Sequence, residues 1–183
     1  MRVIVSAIEA ITATVGNVGA WILVPLIVSM VYEVIARHMF GAPTFWAYEL
    51  GYMLAGSSYM FGIAYCLKQG AHVRVDFIYE KLPPRWQATV DIVGYVFLLL
   101  PGLIWLDKGL FDYAYEAYQY NEVTGESAWN PVVWPFRSAW VLGFVVFTLQ
   151  VIAEVLKAVT VLTGATDAAP AHRRSGATPG AMP

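Results

Sequence analysis

An uncharged run over residues 50–67 constrains this chain more than any other feature of its sequence. As a helix rising about 1.5 Å per residue, these eighteen residues cover about 27 Å, most of the roughly 30 Å hydrocarbon core of a bilayer. The aromatic residues Phe45, Trp46 and Tyr48 precede the run, and Lys68 follows it. Aromatic side chains and cations are typical of the two membrane–water interfaces, so the run predicts a transmembrane helix.

Four small residues share one face of this predicted helix: Gly51, Ala55, Ser58 and Gly62. Their spacing of i, i+4, i+7 and i+11 places them in one line along the helix axis. Between helices in lipid, close packing replaces the hydrophobic effect as the source of association. This line, called here the small-residue stripe, therefore predicts a helix–helix interface, either within the chain's own bundle or with a partner subunit.

The composition is that of an integral membrane protein. Of the 183 residues, 58% are apolar and 13% are charged, whereas soluble domains average about 25% charged residues. A net charge of −2 provides no basic face for a nucleic acid. The single cysteine, Cys66, cannot form a disulfide within the chain or a thiolate metal site, and no Walker-type phosphate-binding loop occurs. We therefore expect no nucleic-acid partner, no cofactor and no ATP hydrolysis by that route.

Further apolar runs predict an all-α fold with four membrane spans. The predicted spans cover residues 10–36, 47–67, 86–106 and 132–157. The first run could instead be a secretory signal, but it is longer than the usual apolar core of about 7–15 residues and lacks a clear small-x-small cleavage site. These features favour a retained helix. Pro25 and Pro101 are expected to kink the first and third spans.

The connections between spans predict one or two amphipathic helices at the membrane surface. Val75–Leu82 mixes apolar and charged residues, as such a helix requires. In the connection over residues 107–134, aromatic residues recur at helical spacing at Phe111, Tyr115 and Tyr118. This spacing fits either a third helix that continues past the bilayer or a separate surface helix.

Two local patterns predict the structure of residues 130–183. Asn130 and Pro131 predict the start of the fourth helix, with Asn as the N-cap and Pro as the first helical residue. Residues 164–183 are rich in Gly, Ala, Pro, Ser and Thr, which predicts a disordered tail after a membrane domain over residues 1–163.

Arg37 and Glu49 flank the turn Gly41-Ala42-Pro43 between the first two spans. Near the membrane surface a low dielectric strengthens the attraction between opposite charges. The two residues are therefore predicted to form an ion pair that holds the helical hairpin together. Contact of either residue with a partner subunit is the alternative.

The distribution of cations predicts the orientation. With both termini in the cytoplasm, eight Lys and Arg residues lie inside: Arg2, Lys68, Arg74, Lys81, Arg85, Lys157, Arg173 and Arg174. Three then lie outside: Arg37, Lys108 and Arg137. The excess of cations on the cytoplasmic side places both termini there and the acidic connection 107–134 outside.

Three sequence motifs resemble one known family. They read R-H-x-F-G-x-P-x-x-W-x-x-E-L over residues 37–50, G-x-H-V-R-V-D over residues 70–76, and P-x-x-W-P-F-R-S-A-W-V-L-G-F over residues 131–144, followed by Leu149-Gln150. In this order and spacing they are similar to the small membrane (Q) subunit of tripartite ATP-independent periplasmic (TRAP) transporters. Ala42-Pro43 departs slightly from the family's usual Asn-Pro. The motif residues with candidate structural or interface roles are Arg37, Trp46, Glu49, His72, Asp76 and Arg137.

The resemblance implies a non-catalytic subunit of a bacterial inner-membrane importer. It implies two protein partners, a large permease subunit and a periplasmic binding protein that delivers an organic acid, and uptake driven by an ion gradient. The small subunit would scaffold the large one. The charged residues fit this role, because Asp107 and the others fall at the ends of the predicted spans rather than at the membrane midplane.

The sequence provides evidence against two other classes of function. A redox subunit would need two histidines bracketing a haem, but His38 and His72 lie at opposite ends of the second predicted span. A self-contained small transporter would need an ionisable residue near the midplane, and the predicted spans place none there.

The outer connection carries the candidate docking residues. Asp112, Glu116 and Glu122 give it an acidic surface that would attract a positively charged patch on the binding protein. The alternative is a helix whose aromatic residues simply lie among lipid headgroups.

Overall fold

The computed structural model describes residues 2–70 and 84–162. The predicted surface helix Val75–Leu82, together with His72 and Asp76, lies outside the described residues. So does the predicted tail over residues 164–183.

The described chain consists of helices joined by two short connections. In chain order they are α1 (Arg2–Met39), α2 (Ala47–Lys68), α3 (Pro84–Val93), a π-helical turn (Gly94–Leu99), α4 (Leu100–Gln119) and α5 (Trp134–Leu162). Four candidate spans are long and apolar enough to cross a membrane: Val3–Met39, Ala47–Lys68, Thr89–Gln119 and Trp134–Thr160. The prediction of an all-α membrane fold with four spans is confirmed.

The third span is longer than predicted and contains the π-helical turn. The N–H of Leu100 bonds to the carbonyl of Tyr95, five residues back rather than four. Pro101 follows at the start of α4 and has no N–H to bond the preceding turn, so a widened turn fits the chain there. The helix then runs on to Gln119. Phe111, Tyr115 and Tyr118 therefore lie on a continuing third helix, which was one of the two predicted alternatives, and not on a separate surface helix.

The predicted start of the last helix is wrong. Asn130 has a left-handed backbone with φ of 46°, and its Oδ1 accepts a hydrogen bond of 2.6 Å from the N–H of Gly125. Asn tolerates this conformation and its amide side chain closes the turn, so it is not free to cap a helix. The helix α5 begins later, at Trp134.

Helix α5 is the centre of the bundle. It contacts α1, α2, α3 and α4, whereas α1 packs mainly on α2 and α5. An apolar core forms where α2, α4 and α5 meet, from Ala64, Leu67, Leu103, Val146, Phe147 and Val151. The bundle has two ends: the termini end carries Arg2 and Leu162, and the loop end carries the connections 40–46 and 120–133.

Glycines allow the closest approaches between helices. A Cβ atom added at Gly143 of α5 would lie 2.8 Å from the carbonyl oxygen of Met60 in α2. One added at Gly19 of α1 would lie 2.9 Å from the Cβ of Phe61 and 3.2 Å from the carbonyl oxygen of Ser58. Without a side chain at these two positions, the helices pack almost backbone to backbone.

The small-residue stripe of α2 lies against α1. Ser58 donates a hydrogen bond of 2.8 Å to the carbonyl of Gly19, and Gly51 faces the end of the Met30 side chain. Ala55 is half-buried. Gly62 differs, because a Cβ added there would meet no atom within 4 Å. The stripe therefore packs within the chain at Gly51 and Ser58 but is open at Gly62.

We predict that Gly143→Ala destabilises the bundle by about 1–3 kcal/mol, because the new methyl group meets a helix backbone that cannot rotate away. Gly51→Ala should cost less, since the flexible end of Met30 can move. Gly62→Ala is the matched control and should stabilise slightly, by at most about 1 kcal/mol, through helix propensity. Thermal unfolding of the purified subunit in detergent measures all three. Equal melting temperatures for the Gly143 and Gly62 variants would contradict the close packing.

Candidate functional site

Polar side chains gather in two layers, one at each end of the bundle, and their buried members are Glu49, Arg137, Thr12 and Gln150. The loop-end layer consists of Glu49, Glu122, Thr124 and Arg137. The termini-end layer consists of Glu9, Thr12, Lys68, Gln150, Glu154 and Lys157. Each layer joins helices that lie far apart in sequence.

Glu49 anchors the loop-end layer. It is 0% exposed and occupies the first turn of α2, where the helix dipole favours a negative charge. Its Oε1 accepts a hydrogen bond of 3.0 Å from the hydroxyl of Thr124, in the connection 120–133. Its Oε2 is buried without a hydrogen-bond partner in the described part of the chain. Glu49 thus ties the second helix to a connection 75 residues further along.

The predicted Arg37–Glu49 pair is wrong. Arg37 pairs with Glu33, one turn back on α1, with its Nε 2.9 Å from Oε1. The other oxygen of Glu33 accepts hydrogen bonds from the N–H and the hydroxyl of Thr44. The Arg37 side chain is 59% exposed, while Glu49 is enclosed by the bundle, so the two charges occupy different environments. Glu33 and Thr44 close the first turn instead.

Trp46 lies at the same turn. Its ring stacks on that of Tyr32, with 5.8 Å between the ring centroids. The pair joins the end of α1 to the start of α2, which is a packing role within the chain.

Arg137 and Glu122 form an ion pair at the loop end. The Nη1 and Nη2 atoms of Arg137 donate to the two carboxylate oxygens of Glu122 at 2.6 and 2.7 Å. The same guanidinium lies 3.5 Å from the ring centroid of Tyr113 and donates to that residue's carbonyl oxygen at 3.3 Å. Arg137 is only 8% exposed. A two-pronged hydrogen-bonded pair of this kind fixes orientation as well as charge.

The connection 120–133 is held in one folded arrangement by this pair and by its own backbone. The N–H of Val133 bonds to the carbonyl of Glu122 at 2.9 Å, and Val123 and Val132 form an antiparallel bridge. The hydrogen bonds from Arg137 lower the pKa of Glu122, against a smaller opposing effect of desolvation. Glu122 therefore stays ionised well into the acidic range.

A small polar cavity of about 190 Å³ lies beneath this connection. Its lining comes from α2, α4, α5 and the connection itself: Tyr52, Tyr113, Glu122, Val123, Thr124, Glu126, Val133, Phe136, Arg137 and Trp140. The cavity belongs to the loop-end layer, because Thr124 and Arg137 form its walls.

The termini-end layer was not predicted from the sequence. The hydroxyl of Thr12 donates to Oε1 of Gln150 at 2.9 Å, and both side chains are 0% exposed. Lys157 binds the carboxylates of Glu9 and Glu154, and Lys68 donates to the carbonyl of Glu9 at 2.9 Å. The available signal was a polar residue in an apolar run: Thr12 in the first span and Gln150 in the last. Such residues in lipid seek a partner on another helix.

Asp107 lies in the part of the third helix that continues beyond the predicted span 86–106. It lies inside the continuous helix Thr89–Gln119 and accepts a hydrogen bond of 2.7 Å from Thr148, at the middle of α5. Its second oxygen is buried without a hydrogen-bond partner among the described residues. Its predicted place at the end of the membrane span stays a prediction, because a helix that continues past the bilayer contains Asp107 equally well.

The three predicted docking residues fall into two groups. Asp112 and Glu116 are exposed on α4. Glu122 is bound to Arg137, so its charge is largely neutralised within the chain. Only the first two provide free negative charge.

An apolar groove of about 440 Å³ runs between α4 and α5 near the loop end. It is lined by Phe111, Ala114, Tyr115, Tyr118, Trp134, Ser138, Val141, Leu142 and Val145. The hydroxyl of Ser138 bonds to the carbonyl of Trp134, so it does not face the groove as a free polar group. The predicted aromatic residues of the third helix therefore pack beside α5.

These observations define a class of protein: a multi-pass helical membrane protein whose described polar side chains form hydrogen bonds and ion pairs at both ends of the bundle. In the described part of the chain, no three His, Cys, Asp or Glu side chains gather as a metal ion would require.

The comparison with protein families then identifies the family. The model described as "Tripartite ATP-independent periplasmic transporters, DctQ component" matches residues 26–161, well over half of the 183-residue chain. The chain therefore belongs to this family, the small membrane subunit of TRAP transporters. No curated protein matches it in sequence.

We predict that Arg137 and Glu122 are energetically coupled. Arg137→Met and Glu122→Gln should each lower the melting temperature, and the double variant should lose less than the sum of the two. The pair Arg37→Met and Glu49→Gln is the control and should show additive losses. Additive losses for Arg137 and Glu122 would show that the ion pair contributes nothing.

The same pair should make the connection 120–133 sensitive to acid. Because the pKa of Glu122 is lowered in the folded protein, its stabilising contribution is complete above the ordinary pKa of a glutamate. The contribution is lost only as the pH falls through the lowered pKa. The protection factor of the Val133 amide, which is the exchange rate corrected for its intrinsic pH dependence, should therefore fall at acidic pH in the wild type and already be low at neutral pH in Arg137→Met.

Proposed function

We propose that this chain is the scaffolding subunit of a secondary importer, bracing a large permease subunit in the bacterial inner membrane. The importer takes up an organic acid that a periplasmic binding protein delivers, and an ion gradient drives the uptake. The family match over residues 26–161 carries the proposal.

The packing of the chain supports a scaffolding role. The termini-end layer ties α1, α2 and α5 together, and the loop-end layer ties α2 and α5 to the connection 120–133. Large apolar side chains such as Trp21 and Val28 remain exposed along α1, at 74% and 62%. Apolar surface of this kind suits contact with lipid or with another membrane subunit.

The orientation forms part of the proposal. Among the described residues, Arg37 and Arg137 lie at the loop end, whereas the termini end carries four cations: Arg2, Lys68, Arg85 and Lys157. This asymmetry favours cytoplasmic termini and a loop end that faces the binding protein.

The position of Asp107 supports a second candidate function, that of a self-contained transporter. An ionisable residue inside a span is a common mark of a proton or ion pathway, and one of its oxygens is unpartnered among the described residues. The hydrogen bond from Thr148 supports a structural role instead. We therefore rank the scaffold first.

Substrate uptake into reconstituted liposomes distinguishes a scaffolding subunit from a self-contained transporter. We expect no uptake by this chain alone, and uptake when the large permease subunit, the binding protein and an inward ion gradient are all present. Asp107→Asn keeps the hydrogen-bond acceptor for Thr148 and should leave that uptake nearly unchanged. Gradient-driven uptake by the isolated chain, abolished by Asp107→Asn, would instead establish the self-contained transporter.

We further propose that Asp112 and Glu116 help to attract the binding protein. Neutralising both, as Asp112→Asn with Glu116→Gln, should slow uptake severalfold at low salt and low binding-protein concentration, since charge steering acts mainly on association rates. The difference should shrink at high salt. Glu122 is left intact because its loss would loosen Arg137.

Gln119→Ala on the same helix is the control and should leave uptake unchanged. If the double variant takes up substrate as fast as the wild type at low salt, with normal amounts of inserted complex, this part of α4 does not attract the binding protein and serves only as a membrane anchor.

A further inference from the structure

Asn17 is an exposed polar residue on the outer side of α1. It lies within the candidate span Val3–Met39, and its carboxamide makes no hydrogen bond among the described residues. Thr14, one turn away, differs because its hydroxyl bonds to the carbonyl of Ala10 at 2.9 Å. A carboxamide has two N–H donors and an oxygen acceptor, and lipid tails satisfy neither.

The packing of α1 against α2 sets the depth of Asn17 in the bilayer. A Cβ added at Gly16 would lie 2.8 Å from the Cβ of Tyr65. One added at Gly19 would lie 2.9 Å from the Cβ of Phe61. Asn17 therefore lies level with residues 61–65 of α2. Because α2 has only 22 residues, about 33 Å, to cross a hydrocarbon core of roughly 30 Å, this level lies inside the core.

Asn17 is too short to reach water from this level. Charged side chains occur on the same side of the bundle in the termini-end layer, where Lys68 donates to the carbonyl of Glu9. Glu9 precedes Asn17 by eight residues, about 12 Å along the helix. Lys and Arg span such distances with long side chains, whereas asparagine does not. The carboxamide therefore requires a hydrogen-bonding group on another protein helix.

The residues around Asn17 have the spacing of a helix pair. One set recurs every seven residues, and a second set follows it three residues later with the same interval: Ala10, Asn17, Val24 and Val31, then Ala13, Ala20, Ile27 and Val34. Ala13 is half-buried and the other seven are exposed. This is the a/d pattern of two helices that cross at a small angle, with valine at two a positions and a single asparagine at a third. We call these eight residues the Asn17 face.

A second copy of this chain meets the requirement of Asn17. Two copies in one membrane have the same orientation, so their α1 helices run parallel and place Asn17 at the same depth. A carboxamide is self-complementary across a two-fold axis, since its N–H group donates to the oxygen of the identical side chain. A single asparagine at an a position fixes register and the number of helices in such parallel pairs.

We propose that the Asn17 face of α1 packs against the same face of a second copy of this chain, with the two Asn17 side chains hydrogen-bonded to each other. Ala10, Ala13 and Ala20 allow the two backbones to approach closely. Gly16 and Gly19 lie on the opposite side of α1 against α2, so this contact leaves the bundle intact. The inference goes beyond the proposed function, because it adds a contact between two copies of the small subunit.

Photo-crosslinking in membranes that contain the complete transporter tests what covers the Asn17 face. A diazirine amino acid of aliphatic shape replaces Val24, which is 49% exposed on this face. We expect mass spectrometry to find it joined to α1 of a second copy. The matched control places the same amino acid at Val18, which is 48% exposed but lies outside the face, and should give much less of this product.

Removal of the carboxamide supplies the second measurement. Energy transfer between labelled copies in liposomes gives the monomer–dimer dissociation constant. Asn17→Leu should raise this constant about 3- to 30-fold, as the loss of one interhelical hydrogen bond in lipid does. Asn17→Gln keeps a carboxamide and should retain most of the affinity. Both variants should melt like the wild-type monomer, because Asn17 makes no hydrogen bond within the described part of the chain.

Other outcomes overturn the inference. A product that joins position 24 to the large permease subunit would show that this subunit covers the face, and products with lipid alone would show that nothing else does. Equal yields of the linked dimer from positions 18 and 24 would show random collision. A dissociation constant unchanged by Asn17→Leu would show that the two side chains do not meet.

Discussion

The bundle depends on the close approach of α5 to α2, where Gly143 lies against the carbonyl of Met60. In a bilayer, apolar side chains gain nothing by leaving lipid for the protein interior, so helices associate through contact area and hydrogen bonds. A side chain at position 143 would push the two backbones apart. Because α5 also contacts α1, α3 and α4, its distance from α2 affects every other interface.

The two polar layers complement this packing by fixing which residues lie opposite each other. Thr12 with Gln150 sets the level of α1 against α5, and Glu49 with Thr124 sets the level of α2 against the connection 120–133. A sliding or rotated helix would leave a polar group without a partner in an apolar environment, which is costly. The layers therefore favour one arrangement of the bundle.

Much of the fold could be predicted from particular residues, and the site much less. The uncharged run over residues 50–67 is a helix, and Gly51 and Ser58 of its small-residue stripe do contact a neighbouring helix. The Arg37–Glu49 pair could not be judged from spacing alone. The distance along the chain was suitable, but the competing partner Glu33 is one helical turn away from Arg37 and therefore nearer. Hydropathy does not show where an apolar helix with charged residues on one face ends, so the continuation of the third helix beyond residue 106 was left open.

The sequence by itself determined the class of fold, the approximate spans and the family resemblance, because each depends on local composition and on short motifs. Only the tertiary structure determined which polar side chains contact each other. Glu49 finds Thr124 and Arg137 finds Glu122 only after distant segments have been brought to the same end of the bundle. Lys108 likewise counted as an ordinary loop cation until α4 proved to continue through it. Pairing between buried charges depends on distances of a few ångströms, and those distances are set by helix packing rather than by position along the chain.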